Sequence, residues 1–470
     1  MKENNLQKFL SVYSDDDDVR IRKISCGIEL TVICLDTMCD DKKVSNYVLQ
    51  PLVYVGEVAD IKEVKARLMT GAAVNKTVNL QSAIEDFTNG YTLIWDTQGN
   101  CLSVDTRTTI GRAVAEPPTS MVLRGPREGF VEDMKVNITL LRKRLKTTSF
   151  KTVNLSVGKY TNTAVAVCYI DGIADMSIVE RITQQLQAID TDAILDSSYL
   201  ARYLDTNKTI LFRRVGVTEK PDIAVAKMVE GRVAIVVDGS PMVLTLPYLF
   251  VEDMQSPGDY YENSSMTVFS RILRFVSVLA SVLLPSLYVC LQVYNYQIIP
   301  LKFLITVMNA SEAIPFSPLA EMMLVLIIFD ILREANLRMP SAVGISLSLV
   351  GAIVLGDAAV KAGLLGAPAV MIGALSGIGL FTLPDNTLVL SLMRLVVTFL
   401  GGTMGLLGVT LATIVTLLYL ASLQNNKTPF LAPFAPNIPA DRQDAIGQKP
   451  VPEMEKRPES IPNENKTRRS

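Results

Sequence analysis

The chain has 470 residues, a formal net charge of -2 and no histidine. That length allows more than one domain, and the charge balance argues against a nucleic-acid partner, which would ask for a basic face. The missing histidines remove Ser-His-Asp and Cys-His nucleophile systems, histidine zinc sites and His proton relays. Carboxylate or lysine chemistry stays open, but no ordinary hydrolase, metal site or other cofactor is expected.

The start, Met1 to Arg22, is polar and carries the acidic run Asp15 to Asp18 in place of an apolar signal region. The first apolar membrane segment begins only near Val268, so the front half is expected in the cytosol. The cysteines Cys26, Cys34, Cys39, Cys101, Cys168 and Cys290 have no disulfide-framework spacing. Cys34 and Cys39 suggest a metal site, but no second Cys or His pair completes it, and buried reduced thiols are the expectation.

From Ile21 to Pro247 the chain alternates β-rich runs with amphipathic helices. A strand is expected over Ile28 to Leu35, helices over Lys43 to Leu52, Ile61 to Met69 and Ala83 to Thr88, and a hairpin of Tyr91 to Trp95 with Cys101 to Val104. A second pass repeats the order. It has a strand at Ala164 to Ile170, helices at Ser177 to Ile189 and Ile223 to Val229, and a hairpin of Arg232 to Val237 with Met242 to Leu246. Both passes end on a helix closed by glycine (Gly90, Gly231), an apolar strand, an acidic turn and a return strand. This pattern reads as a duplicated α/β module, with chance similarity of two common folds as the alternative.

Between the passes lies the stiff Ala115 to Ser120 linker, then the Leu123 to Asp133 loop with Arg124, Gly125, Arg127 and Gly129. No Walker pattern accompanies it, so a structured linker or subunit contact is expected. The helix Met134 to Lys146 carries Lys135, Arg142, Lys143, Arg144 and Lys146. Its basic face suits anionic lipid, an acidic partner or simply water.

Long apolar runs fill the rest, and a span needs about 20 such residues. Ser270 to Tyr294 reads as the first span, with Arg271 and Arg274 marking the cytoplasmic side and Pro285 a kink. Ile298 to Met308 is too short to cross, and Pro318 to Arg333 returns to the cytoplasm. Ala342 to Leu355 and Ala367 to Leu383 follow, and Leu388 to Leu423 holds two crossings hinged near Gly401-Gly402. Six crossings are expected, or four plus buried half-helices.

Small residues crowd Ser341 to Gly379, which suits close helix packing or a path lined by backbone. Ser346, Val350, Ile353, Asp357 and Lys361 share one helical face, so a ring of Ile353 could gate and a ring of Asp357 could select cations. Glu321, Asp330, Arg333, Glu334 and Arg394 are the candidate charges at membrane depth; Arg333 and Glu334 lie near a helix end, and Arg394, deeper in its run, is expected to pair with a carboxylate such as Glu321 or Asp330, with transport chemistry as the alternative. The Thr428 to Pro436 tether is expected to dock on the soluble half, and the remainder to be disordered.

The expected class is α+β with an α-helical membrane part. It divides into cytosolic α/β modules at 1–115 and 134–262 around a linker at 116–133, a transmembrane helical domain at 263–424 and a disordered tail at 425–470.

Several long motifs carry a resemblance: Arg124 to Asp133, Gly231 to Pro241, Gln255 to Glu262, Leu332 to Pro340 and Pro429 to Phe434. In these the chain resembles the A subunits of GerA-type spore germinant receptors and their close spore-expressed paralogues. The resemblance implies residence in the spore inner membrane, a transporter-like B subunit and a lipoprotein C subunit as partners, and self-assembly, as pentamers, into a nutrient-gated cation channel. Nutrients would bind mainly the B subunit, and no active site carries over. A secondary transporter or a non-conducting scaffold for B and C remain the alternatives.

Overall fold

The computed structural model describes residues 3–54, 57–68, 73–77, 79–108, 124–205, 211–312, 314–338, 351, 353–425 and 428–468. The Ala115 to Ser120 linker and the pore candidates Ser346 and Val350 lie outside them.

The first module runs α1 (Glu3–Val12), β1 (Val19–Ser25), β2 (Glu29–Leu35), α2 (41–54), α3 (Ile61–Leu68), β3 (Val74–Thr77), α4 (Leu80–Thr88), β4 (Thr92–Asp96) and β5 (Cys101–Val104). The second runs α5 (Met134–Arg144), β6 (Phe150–Val157), β7 (Thr163–Ile170), α6 (Met176–Gln187), α7 (Ser197–Leu204), β8 (Gly216–Thr218), α8 (Pro221–Val229), β9 (Val233–Val237) and β10 (Val243–Leu246). The succession of elements is the same. So is the strand order, β1-β2-β4-β5-β3 in one sheet and β6-β7-β9-β10-β8 in the other. Neighbouring strands pair antiparallel in both sheets.

Alternation along each strand feeds two cores, one per sheet face. In the second module Val165, Val167, Ile235 and Val237 meet Ile178, Ile182 and Leu200 of α6 and α7. Their neighbours Ala166, Cys168, Ala234 and Val236 meet Ile138 and Leu141 of α5 and Met228 of α8. The first module repeats this. Val32 and Ile94 face Val48 and Val64, while Ile33, Leu93 and Trp95 face Phe9 and Phe87. Each fully buried aliphatic side chain contributes about 1.5–3 kcal/mol. Gly90 and Gly231 close α4 and α8 at φ 89° and 104°, a conformation that a side chain would strain.

Two residues of the acidic run before β1, Asp16 and Asp18, are buried between the modules. Arg142 Nη2 lies 2.8 Å from Asp16 Oδ2, and its Nε lies 2.8 Å from Asp18 Oδ2. Thr152 Oγ1 donates to Asp16 and Thr37 Oγ1 to Asp18, at 2.8 and 2.6 Å. The basic helix therefore turns its best-placed arginine inward, not to lipid.

The helical half comprises α9 (Ser264–Val293), α10 (Leu301–Ser311), α11 (Pro318–Leu337), a short helix at 353–361, α12 (Ala367–Leu380), α13 (Thr387–Met404) and α14 (Leu406–Ser422). Among the described residues two helices, Ser264–Val293 and Pro384–Met404, are long and apolar enough to cross a membrane; α12 and α14 are apolar but shorter. α9 runs unbroken through Pro285. The hinge of the last run sits at Gly405 (φ 65°), not at Gly401-Gly402. Those two glycines stay helical and let neighbours approach closely. A Cβ at Gly401 would stand 2.2 Å from Ser286 Oγ, and one at Gly402 2.5 Å from Leu319.

The two helices beside Gly405 fold back on each other, since Leu420 and Leu423 pack near Val389 and Met393 while Val409 and Ala412 meet Val397. α9 leads away from the second module and ends at that hairpin's turn, where the Tyr294 hydroxyl donates to Thr403 O at 2.7 Å. α11 starts there, with Leu319 against Gly402. α12 starts beside Glu321 of α11 and ends beside Ser277 of α9.

The tail corrects an expectation. Phe430 is fully buried in a cluster with Phe212, Tyr248, Phe250 and Leu423, so the tether does dock on the second module. The segment after it is ordered too. Met454 and Ile461 are buried, Arg457 Nε donates to Val229 O at 2.7 Å, and Asn463 bridges Ala174. Its prolines and charges hide no periodic pattern because a few spaced apolar side chains and backbone hydrogen bonds hold it, not a repeating face.

Candidate functional site

A charge inside an apolar helix pair is costly unless it is matched. α13 places Ser391 and Arg394 one turn apart on its inner face, and Arg394 is only 1% exposed. Its Nη2 donates to Asp330 Oδ1 of α11 at 2.8 Å, and its Nη1 to Ser376 Oγ of α12 at 3.2 Å. Ser376 Oγ in turn donates to Ser281 O of α9 at 2.6 Å. Ser391 Oγ donates to the other oxygen of Asp330. Arg333, one turn along α11, lies 3.3 Å from Asp330 Oδ1. One carboxylate thus serves two guanidinium groups, and the network through Arg394 and Ser376 ties four helices together.

Of the residues singled out in the sequence, the structure unites Asp330 with Arg394 and sets Glu321 apart. Glu321 is 1% exposed, and its Oε1 accepts the Gly366 N–H at 2.5 Å. Gly366 caps the N-terminus of α12, where a carboxylate is favoured by the helix dipole. Ile353 stands 57% exposed. On the same short helix Asp357 Oδ1 lies 2.7 Å from Lys361 Nζ, with both side chains largely exposed.

A second constellation, at the junction of the two halves, escaped sequence reasoning. Asp259 is held by Arg274 through two bonds of 2.7 Å and by Arg271 Nε at 3.1 Å. Arg271 Nη1 also reaches Asp444 of the tail at 3.0 Å. Burial raises the Asp259 pKa, but Arg274, the Ser256 N–H and Arg271 outweigh it and hold the carboxyl below its usual range. Nearby, Asn386 Nδ2 at the start of α13 donates to Asp253 Oδ2 at 2.7 Å, and Tyr248 donates to Oδ1. There burial prevails over the Tyr248 hydrogen bond and over Arg213, whose Nη2 lies 3.8 Å from Asp253 Oδ1, and Asp253 is pushed up to about 6. The Gln255 to Glu262 motif and the pair Arg271 and Arg274 signalled this junction in the sequence; Arg213, Asp253 and Asp444 sit in unremarkable contexts.

The family model described as Bacillus/Clostridium GerA spore germination protein matches residues 6–460. The chain belongs to the GerA family. Its relatives include spore germination protein KA of Bacillus subtilis, 32% identical over 99% of this chain and 87% of that one. Spore germination protein GerQA of Bacillus cereus is 35% identical over 82% of this chain and 78% of its own. Spore germination protein A1 of Bacillus subtilis is 30% identical over 99% and 97%. A crystal structure of the N-terminal domain of the A subunit of the Bacillus megaterium germinant receptor GerK3 is 26% identical, covers 52% of this chain and 94% of that one, and superposes at a TM-score of 0.40, too loosely to add to the fold. The sequence resemblance to GerA-type A subunits is thereby confirmed at the level of the family, and the three curated names concern germination, none of them a catalytic activity.

Proposed function

We propose that this GerA-family chain is the A subunit of a nutrient germinant receptor of the spore inner membrane, with B and C subunits as partners. Copies of it assemble around a shared path and conduct cations when germinant is sensed. The helical half makes six passes, counting the segment between α11 and α12, so that the soluble modules and the tail share the cytosolic side. The small-residue face around Ile353 and Asp357, continued by Ser346 and Val350, lines the path.

One observation carries this reading. Gly351 lies against Leu332 and Ala359 packs beside Phe329, so the short helix runs along α11, which the six-pass reading sets at membrane depth. Yet its Asp357–Lys361 pair points outward. Facing lipid, each charge would cost roughly 2.5–3.5 kcal/mol at mid-bilayer, so this face belongs against water or a second copy.

The test is conductance. Reconstituted receptor should pass potassium in preference to chloride, and Asp357→Asn should cut that preference. Ile353→Ala should make spores leak ions before nutrient is added. A conductance whose selectivity ignores Asp357, together with normal ion retention in the Ile353→Ala spores, would remove this face from the path.

A further inference from the structure

The chain after α14 is held in two unlike ways. Phe430 anchors its start, fully buried among the rings of Phe212, Tyr248 and Phe250. Residues 439–468 then cross the second module on mostly polar contacts. Of their described apolar side chains, Ala445, Met454 and Ile461 are buried. The Glu464 N–H donates to Ile173 O at 3.0 Å, and Arg468 Nη2 to Glu230 Oε1 at 2.6 Å. Gly231 leaves room for Asn463, since a Cβ there would stand 2.9 Å from the asparagine Cβ. Arg457 is 7% exposed, yet it rests on the backbone carbonyls of Val229, Asn465 and Thr467. Among the described residues no carboxylate lies within ion-pair distance of it.

The middle of the segment grips the base of α9. Arg271, fully buried, donates from Nη1 to Asp444 Oδ1 at 3.0 Å and to Ala445 O at 2.8 Å. The Tyr260 hydroxyl donates to Asp444 Oδ2 at 2.9 Å, and Gln255 Nε2 to Asp444 O at 2.6 Å. The same segment thus holds the first turns of α9 and, at its far end, the close of α8. Contacts of this kind are exchanged for contacts with water on release, so each nets little. Ordering the backbone opposes them at every residue. A segment so held opens more readily than a packed core, and the Phe430 anchor keeps it close enough to rebind.

We propose that residues 439–468 form a releasable strap that holds the protein at rest by tying the base of α9 to the second module. With the strap seated, the module and the membrane helix move as one body. With it released, Arg271 keeps Asp259 but loses Asp444, and α9 is free to shift against the module. The strap is therefore an internal brake on germination. It rests on the GerA-type reading of the chain but not on conductance.

Two measurements test it. In the full chain in phosphatidylcholine nanodiscs, hydrogen exchange should reach the Arg457 and Glu464 amides, bonded to Lys466 O and Ile173 O, at least about tenfold sooner than the Phe430 amide, bonded to Leu423 O. The second uses spores whose sole germinant receptor is this chain with its B and C partners. Asp444→Asn, or a stop after Ile438 that spares Phe430, should raise the fraction losing refractility in nutrient-free buffer about tenfold, the factor that one charge-assisted hydrogen bond corresponds to. Arg468→Lys, which keeps a cation facing Glu230, should stay near the parent. Blotting checks the receptor level, and Asp444→Asn decides the matter if the shortened chain is depleted. Equal protection of strap and anchor, or unchanged or slower germination at the parental receptor level, would overturn the proposal. A receptor that proves non-conducting but germinates early without its strap would sink the channel and leave the strap standing.

Discussion

The two modules share one strand order and one arrangement of helices, yet they are anchored differently. The first is tied to its neighbour through the buried Arg142 cluster and Lys151, whose Nζ reaches Val12 O at 2.5 Å. The second carries the aromatic cluster around Phe430, the Asp259 and Asp253 junctions, and the tail. Alternating apolar residues set the fold of both. A handful of buried charges and rings, absent from the repeat, set where each one sits.

The largest break should come at Arg142. Arg142→Ala leaves Asp16 and Asp18 buried without a partner, a loss of about 3–5 kcal/mol. Hydrogen exchange should rise first at the Asp17 and Thr37 amides, which bond to Thr152 O and Asp18, while β9 stays protected. Equal loss of protection in both sheets would mean that the modules unfold as one body. Next comes Phe430→Ala, which empties the cluster on the second module only and should cost about 3 kcal/mol. Protease should then cut the tail faster, with the first module unaffected.

The junction also titrates. The Asp253 carboxyl, raised to about 6 in the fold, keeps a proton that its unfolded counterpart loses near 3.9. The stabilising effect of the neutral form is full below about pH 4 and is lost as pH rises through about 6, by up to about 3 kcal/mol. Unfolding of the full chain across that window should show the slope, and Asp253→Asn should flatten it. An unchanged slope in the variant would assign the titration elsewhere.

Much of this comparison was legible in the sequence. The apolar runs at β2, β4, β5, β7, β9 and β10 and the closing glycines Gly90 and Gly231 carry period and turn signals, so the repeat could be read. The edge strand β1 could not, because the charges of Val-Arg-Ile-Arg-Lys-Ile-Ser break its alternation at Lys23; β6, Phe-Lys-Thr-Val-Asn-Leu-Ser-Val, carries the signal only in its second half, where Val153, Leu155 and Val157 alternate. The pairing of Arg394 with a carboxylate was foreseeable because few charges lie at that depth. Which one, Asp330 or Glu321, depends on how α11 and α12 lie together, and that is long-range information. The buried role of Asp16 and Asp18 was invisible for the same reason, since an acidic run reads as solvated until an arginine from a distant helix arrives.

The smallest predicted effect sharpens the comparison most. Lys135 Nζ and Asp36 Oδ2 join the same two modules at 2.8 Å, as short as the contacts of Arg142, but the lysine side chain is 50% exposed. Water screens such a pair, and ordering a long side chain offsets much of the attraction. Lys135→Ala should therefore cost less than about 1 kcal/mol, against the several expected for Arg142→Ala, although both delete one cation from one helix at one interface. Raising salt should shrink the Lys135 effect and leave that of Arg142 nearly unchanged. Equal costs for the two variants would mean that the interface holds by overall charge attraction, and that the burial of Asp16 and Asp18 is incidental to how the modules are joined.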